Sequence, residues 1–206
     1  MPMAKVSIYK DSRYIMDGVL IEDRTYCRTA DLLKGLGYAY DWFGEVGGGK
    51  LIIRGEILWP EQDIDLRLPS GADTALLDEY VKGTPLAGLG KAWLEAEANW
   101  RVNAVFLCAL ACHESDFGRS KIAREKKNLY GFMAYDNSPY ASAKNYGTYR
   151  ESITDVCRLL VESYLFPSGK YYNGPTPAGV NVRYASDKGW AGKVINHMAG
   201  IVKKTK

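Results

Sequence analysis

The chain has 206 residues, of which 47% are hydrophobic and 25% are charged, and its formal net charge is +3. This balance is that of a folded globular protein, so the composition excludes wholesale disorder. The small excess of cations argues against nucleic acid as a partner, because proteins that bind it carry a clustered basic face. A weakly basic protein is still attracted to an anionic polymer. At roughly 150 residues per domain, the length predicts one domain or two small ones.

The sequence predicts neither a membrane span nor a secretion signal. The longest nearly uncharged apolar run, residues 102–112, is about half as long as a spanning helix must be. Residues 1–7 (MPMAKVS) lack the basic start and the apolar stretch of a signal peptide. We therefore expect a protein that is made in the cytoplasm without a signal peptide.

The four cysteines, Cys27, Cys108, Cys112 and Cys157, are too few for a disulfide scaffold. Cys108 and Cys112, together with His113, are residue types that bind metals, but a zinc site needs a second pair of ligands. Both cysteines fall in an apolar helical run, where a free cysteine packs as a small hydrophobe. We expect no metal and no cofactor.

Residues 1–56 are predicted to form a small β-rich domain. Short segments alternate apolar and polar residues with period two, as half-buried strands do. The triple glycine at 47–49 lacks the Lys-Ser/Thr of a phosphate-binding loop, so it indicates a hairpin turn. The predicted elements are strands at 5–9 and 24–27, a helix at 30–34, and a hairpin formed by 38–42 and 51–53.

Residues 57–73 are predicted to be a linker, and residues 74–206 a mostly helical domain. The linker segment is rich in Pro, Gly and acids, which suits an extended arm. Asn103 can cap a helix over 104–113 that is apolar on almost every side, and such a helix should be buried and central. Residues 128–146, rich in Tyr, Asn, Ser and Pro, favour a loop-and-hairpin lobe. The other predicted helices cover 74–81, 91–99, 149–165 and the segment from about 187 onward.

Glu114 is the first candidate for a catalytic residue. It ends the apolar helix, just before the chain turns at Gly118. A carboxyl group at the mouth of an apolar helix is partly desolvated, which raises its pKa. A carboxylic acid that stays protonated near neutral pH can protonate a glycosidic oxygen. The alternative is that Glu114 and Asp116 are solvated groups just past a helix end.

Four segments from about residue 75 to 203 resemble one enzyme family in the right order. They are 111–120 (ACHESDFGRS), 128–132 (NLYGF), 146–155 (YGTYRESITD) and 181–194 (NVRYASDKGWAGKV). This part of the chain resembles the glucosaminidase domain of bacterial autolysins and phage endolysins, glycoside hydrolase family 73. The resemblance implies an α+β fold, lysozyme-like and mostly helical with a β-lobe. It also implies cleavage of the β-1,4 bond after N-acetylglucosamine in peptidoglycan glycan strands.

The resemblance also implies roles for particular residues. Glu114 matches the general acid, Tyr184 matches a tyrosine near the catalytic centre, and Asn128 and Tyr130 match the turn into the β-lobe. The second carboxylate of the family varies in position, and Asp136 is the only acid between residues 128 and 150.

Asp136 has two interpretations. As a second carboxylate it would activate a water and invert the anomeric centre. As a turn residue in Tyr-Asp-Asn-Ser-Pro it would leave the substrate's 2-acetamido group as the nucleophile, with retention.

Aromatic residues near the matched motifs suit a sugar groove, because flat rings stack on sugar faces. Phe132, Tyr135 and Tyr140 are the candidates for contact with substrate, in addition to Asn128 and Tyr130. Trp190 lies at helical spacing from Val194, which predicts a core position instead.

The first 56 residues more loosely resemble the small domain at the start of some copper amine oxidases, which is repeated in many cell-surface proteins. Arg24-Thr25-Tyr26, Leu32-Leu33 and the hairpin at Trp42 carry this resemblance. It implies wall attachment or a homo-dimer contact.

Three functions stay open at this point. The first is a peptidoglycan N-acetylglucosaminidase, as a phage or prophage endolysin or an autolysin. The second is a catalytically inactive cell-wall-binding module. The third is a lytic transglycosylase on a related fold, which would leave an anhydro sugar end.

Overall fold

The structure is a computed structural model that describes residues 4–10, 13–20, 38–45, 48–57, 64–133 and 138–203, with the backbone alone described up to residue 57. The chain divides into two compact units, Met1–Pro60 and Glu61–Lys206. Each is described by itself below. Among the described residues, no helix has the length and apolarity that a membrane crossing requires.

The first unit contains a four-stranded sheet. Its strands are β1 Ala4–Lys10, β2 Arg13–Leu20, β3 Tyr38–Glu45 and β4 Gly48–Ile57. Their order in the sheet is β2-β1-β4-β3. The pairs β1–β2 and β3–β4 are antiparallel, and β1–β4 is parallel. Strand β2 was not predicted, and its Asp-Gly step has the composition of a turn. The predicted strand at 24–27 and helix at 30–34 lie outside the described residues.

The second unit is helical, as predicted. Its described residues from Ile64 to Lys203 form eight helices and no strand. The helices are α1 Thr74–Tyr80, α2 Gly90–Trp100, α3 Ala104–Ser115, α4 Lys121–Lys126, α5 Pro139–Ser142, α6 Tyr149–Ser163, α7 Pro177–Tyr184 and α8 Trp190–Lys203. Helices α4, α5 and α7 were not predicted, and the other five agree with the sequence pattern or extend it.

Helix α3 is the buried central helix that its sequence predicts. Every residue from Ala104 to Cys112 is at most 1% exposed, and the helix packs against α2 and α8. The Asn103 side chain caps it by accepting a hydrogen bond from the Phe106 amide at 3.0 Å. Because all sides of α3 are covered, the groups at its C-terminal end are held by the core of the unit.

The predicted hairpin lobe at 128–146 is wrong for the residues that the structure describes there, 128–133 and 138–146. They form loops and the short helix α5. The Asn128 side chain donates to the Phe132 and Lys144 carbonyls at 2.9 and 3.0 Å and accepts from the Phe132 amide at 3.0 Å. This side chain thus occupies backbone groups that a strand ladder would pair, and Pro139 starts a helix instead.

The predicted linker packs against the helical unit from Ile64 onward. Leu66 is fully buried, its amide donates to the Pro175 carbonyl at 2.7 Å, and its carbonyl accepts from the Asn103 amide at 2.8 Å. The Ser70 amide donates to the Glu97 carboxylate at 2.8 Å. This segment therefore adds buried apolar surface to the helical unit.

We expect Leu66→Ala in the full chain to lower the free energy of unfolding of the helical unit by about 2–5 kcal/mol, since it removes fully buried apolar atoms and leaves a cavity. Urea unfolding followed by the far-ultraviolet circular dichroism of the helices measures this. Leu68→Ala is the matched control, because Leu68 is only partly buried and its loss should cost less. If both variants unfolded at the same urea midpoint as the unchanged chain, the segment would be a linker.

Candidate active site

A rigid turn directly after α3 presents Glu114. The Ser115 hydroxyl donates to the Ala111 carbonyl at 2.5 Å and accepts from the Gly118 amide at 2.7 Å. Asp116, Phe117 and Gly118 all have left-handed backbones, with φ of 50°, 53° and 79°. A Cβ on Gly118 would lie 2.9 Å from Cδ2 of Leu86, so this position requires glycine.

The Glu114 carboxyl is half-buried and accepts a hydrogen bond of 2.7 Å from the indole nitrogen of Trp190. Burial raises the pKa of Glu114, while the Trp190 hydrogen bond and the charge of His113 oppose this rise without cancelling it. A carboxylic acid with a raised pKa keeps its proton to a higher pH, and this is the state that a general acid needs.

Trp190 is only 2% exposed, so the prediction of a core position is confirmed. The sequence analysis missed its second role, since nothing in the spacing of Trp190 and Val194 indicates a partner for the indole N–H. A buried tryptophan needs such a partner, and here the partner is the candidate acid.

Tyr184 lies beside this pair. Its ring centroid is 5.0 Å from that of Trp190 and 5.6 Å from that of Tyr164. Burial raises the pKa of the Tyr184 hydroxyl well above its usual value, and the nearby charge of Glu114 adds to the rise. The structure thus places a neutral tyrosine next to Trp190 and close enough to Glu114 to respond to its charge.

Hydrogen bonds at the start of α8 position Trp190. The Asn181 side chain accepts from the Ala191 amide at 3.2 Å and donates to the Asp187 carbonyl at 2.9 Å. The Asp187 carboxylate accepts from the Gly189 amide at 2.8 Å. These contacts hold the turn before α8 onto α7, which carries Tyr184.

A second contact holds α8 two turns further along. The Tyr80 hydroxyl lies 2.8 Å from Nδ1 of His197, and the Phe117 ring packs edge-on against His197 with centroids 5.4 Å apart. This contact joins α1, α8 and the turn after Glu114. The position of Trp190 relative to Glu114 is therefore held at the start of α8 and again near its middle.

Comparisons with known proteins identify the family of this chain. A model of the glucosaminidase family, described as mannosyl-glycoprotein endo-beta-N-acetylglucosaminidase, matches residues 90–202. That match covers more than half of the chain. The chain belongs to the glucosaminidase family.

One relative and two solved structures extend the comparison. A Streptococcus pneumoniae protein, whose name gives endo-beta-N-acetylglucosaminidase as its inferred activity, is 36% identical over 124 residues, 60% of this chain and 19% of its own length. S. aureus Autolysin E with the muropeptide NAM-L-Ala-D-iGlu is 18% identical, with a TM-score of 0.55 over 96% of this chain and 83% of its own. A catalytic glutamate-to-alanine variant of the same autolysin, with the disaccharide NAG-NAM, has the same identity and TM-score over 96% of this chain and 84% of its own.

The chain spans about a fifth of the length of the curated relatives that it matches. At 18% identity the autolysin structures establish the fold. The helical unit has the lysozyme-like, mostly helical fold of the glucosaminidase family.

Two predicted substrate-binding residues lie in the interior of this glucosaminidase fold. Asn128 is 1% exposed and Tyr130 is 5% exposed. The Tyr130 hydroxyl accepts from the Trp93 indole at 3.2 Å and donates to the Leu107 carbonyl at 3.3 Å. A direct contact with substrate would require exposed side chains, so the structure places both residues as internal supports of the loop.

The other predicted groove residues are more accessible, where they are described. Phe132 is partly exposed, and Tyr140 is 40% exposed. The Tyr140 hydroxyl donates to the Glu125 carboxylate at 2.5 Å. Tyr135 and Asp136 lie outside the described residues, so their roles stay predictions.

No group of three or more His, Cys, Asp or Glu side chains in the described ranges could hold a metal ion. Cys108 and Cys112 are buried within α3, and burial raises the pKa of the Cys108 thiol. A protonated thiol in an apolar interior is a poor metal ligand. Among the described residues, the candidate active site consists of Glu114, Trp190 and Tyr184.

We expect Trp190→Phe to move the alkaline limb of the pH–rate profile to higher pH and to lower the rate about tenfold. The indole N–H stabilises the ionised carboxylate, so its loss raises the pKa of Glu114, and the acid stays protonated to a higher pH. The rates are measured from about pH 5 to about pH 9, a range in which a carboxyl group with a raised pKa loses its proton. Trp93→Phe is the matched control, because it removes a buried indole that donates to Tyr130 and not to the acid. An unmoved limb in the first variant would contradict the assignment.

Proposed function

We propose that this chain is an endo-β-N-acetylglucosaminidase that hydrolyses the β-1,4 bond between N-acetylglucosamine and N-acetylmuramic acid in peptidoglycan. The Glu114 carboxyl supports this function, because it is half-buried, has a raised pKa and is held by Trp190 at the end of a buried helix. The family supplies the reaction class, and the NAG-NAM complex of the autolysin variant supports the choice of glycan.

In the proposed reaction, Glu114 donates its proton to the glycosidic oxygen as the bond to the anomeric carbon breaks. The resulting Glu114 carboxylate is stabilised by the Trp190 indole, whose hydrogen bond favours the charged form. Tyr184 stays neutral, and its hydroxyl can donate a hydrogen bond to the sugar without adding charge.

The second proposed group is Asp136, acting as the base that activates a water on the opposite face of the sugar. The support is its position in the chain, as the single acid between Asn128 and Arg150, and the known need of inverting glycosidases for two carboxylates. The rival mechanism uses the substrate's 2-acetamido group as nucleophile and retains the configuration.

We also propose that the β-rich first unit attaches the enzyme to the bacterial cell wall. The support is the loose resemblance to repeated cell-surface modules and the four-stranded backbone arrangement. Attachment would raise the effective concentration of the active site at its polymer. Equal binding to purified sacculi by the full chain and by residues 61–206 alone would refute this role.

Mass spectrometry of the products from purified cell walls tests the proposed activity. A glucosaminidase leaves N-acetylglucosamine at each new reducing end, whereas a muramidase leaves N-acetylmuramic acid there. A lytic transglycosylase leaves an anhydro sugar that lacks one water. Only the first result supports the proposal, and an enzyme that releases nothing would be the inactive wall-binding module.

A further inference from the structure

The segment from Arg119 to Lys127 concentrates positive charge. Five of its nine residues are Lys or Arg, against one acid, Glu125. Lys121 and Arg124 are three residues apart, which places them on one side of the helix, and Lys127 follows at its C-cap with a left-handed backbone. We call these three side chains the basic face of α4.

No ion pair among the described residues involves the basic face of α4, although Arg119 next to it lies 3.8 Å from Asp116. Lys121 and Arg124 are exposed, and Lys127 is half-buried. Like charges at this spacing destabilise a helix. A repulsion that no described carboxylate neutralises favours an anionic partner.

The neighbouring charged side chains are already engaged. The Lys126 ammonium donates to the Ala143 carbonyl at 2.8 Å and to the Tyr140 carbonyl, so it holds the end of α5. The Glu125 carboxylate accepts from the Tyr140 hydroxyl. The Lys127 ammonium donates one hydrogen bond to the Arg124 carbonyl at 2.9 Å. The exposed Lys121 and Arg124 are therefore the main part of the basic face of α4 that is left for an external anion.

Its position relative to the active site follows from the turn after α3. The Ser120 amide donates to the Ser115 carbonyl at 2.9 Å, and the Ser120 hydroxyl accepts from the Ala123 amide at 3.2 Å. Helix α4 therefore starts at the same end of α3 that carries Glu114.

The basic face also borders a predicted sugar contact. The Lys121 ammonium lies 4.4 Å from the centroid of the exposed Tyr140 ring. An aromatic ring beside unpaired cations suits a ligand in which an uncharged sugar is joined to a carboxylate.

We propose that the basic face of α4 binds the carboxylates of the stem peptides that the substrate's N-acetylmuramic acid residues carry. This inference rests on the proposed function, and charge complementarity selects the occupant. In an intact strand the lactyl group of muramic acid is tied up in an amide, so the sugar backbone is uncharged and the carboxylates lie in the peptides. A peptide of this kind, ending in isoglutamate, is bound in the S. aureus Autolysin E complex.

The test compares two soluble substrates and four proteins. The substrates are soluble glycan strands with free stem-peptide carboxylates, and the same strands after carbodiimide coupling has converted those carboxylates to amides. The proteins are the full chain, K121Q/R124Q/K127Q, the charge-preserving K121R/R124K/K127R, and the control K82Q/K91Q/K203Q, which removes three exposed cations elsewhere on the helical unit. Circular dichroism and the melting temperature confirm that each variant is folded.

We expect amidation to raise the KM of the full chain and of the control about tenfold, with kcat little changed. The reason is that a few solvent-screened charge contacts contribute to substrate binding and not to the chemical step. The K121Q/R124Q/K127Q variant should show the raised KM on the free-carboxylate strands and no further change on amidated ones. K121R/R124K/K127R, which keeps the charges, should behave like the full chain.

Three results would overturn the inference. A full chain that cleaves both substrates equally well would leave the proposed function standing and remove the role of the carboxylates. A variant that loses activity equally on both substrates would show that these residues act on the sugar or on the fold. Sacculi that retain phosphodiester polymers serve as a third substrate, and a K121Q/R124Q/K127Q variant impaired only on them would assign the basic face to phosphate. If the full chain cleaves neither substrate, the proposed function itself fails.

Discussion

Glu114→Gln is expected to lower the rate of peptidoglycan hydrolysis by about two to four orders of magnitude, the usual scale for the loss of a general acid. Glutamine keeps the size of the side chain and can still accept the Trp190 hydrogen bond, but it has no acidic proton to donate. The fold should therefore survive while the reaction stops. Release of reducing ends from purified walls, measured at the optimum pH, gives the comparison.

Asp116→Asn is the matched control for this variant. Asp116 is exposed, lies two residues from Glu114 and adopts a left-handed backbone that asparagine also tolerates. Its loss of charge should leave the rate within a few-fold of the original. Near-normal turnover by a folded Glu114→Gln variant would end the assignment of Glu114 as the acid.

The second large effect is expected for Asp136→Asn. If Asp136 activates the attacking water, the variant should lose about two to four orders of magnitude in rate. Sodium azide should then restore turnover, because this anion attacks the anomeric carbon without a base. The product would be a glycosyl azide of inverted configuration, which nuclear magnetic resonance identifies from the coupling at the anomeric proton.

Asn137→Ala is the comparison for this second variant, because it changes the turn that the sequence predicts there and removes no carboxylate. A small effect of Asp136→Asn, similar to that of Asn137→Ala, would assign Asp136 to the turn. The acetamido mechanism would then be favoured. A retained configuration in the product of the full chain would support it independently.

Five helices of the helical unit could be predicted from sequence because their signals are local. Asn103 caps α3, and the Thr148 side chain accepts from the Glu151 amide at 3.3 Å in the Thr-Tyr-Arg-Glu pattern of a capping box. The continuous apolar run of α3 likewise indicates burial on all sides, and the structure shows it. Each of these features depends on residues only a few positions apart.

Two segments were mispredicted because their partners are distant in the chain. Residues 57–73 have a linker composition, but Leu66 contacts Pro175 and Asn103 through backbone hydrogen bonds. Residues 128–146 have the composition of a hairpin lobe, but the side chain of Asn128 binds the Lys144 carbonyl 16 residues away. Composition shows neither contact.

Sequence patterns alone predicted the helical character of the second unit and the family, and they singled out Glu114 at the end of an apolar helix. They also placed Trp190 in the core by its helical spacing. The surroundings of the acid depend on the packed helices. Trp190 reaches Glu114 across 76 residues of chain, because α3 and α8 pack together. Burial raises the pKa of Glu114, while the Trp190 donor and the charge of His113 oppose the rise. The burial and the indole donor exist only after those two helices have met.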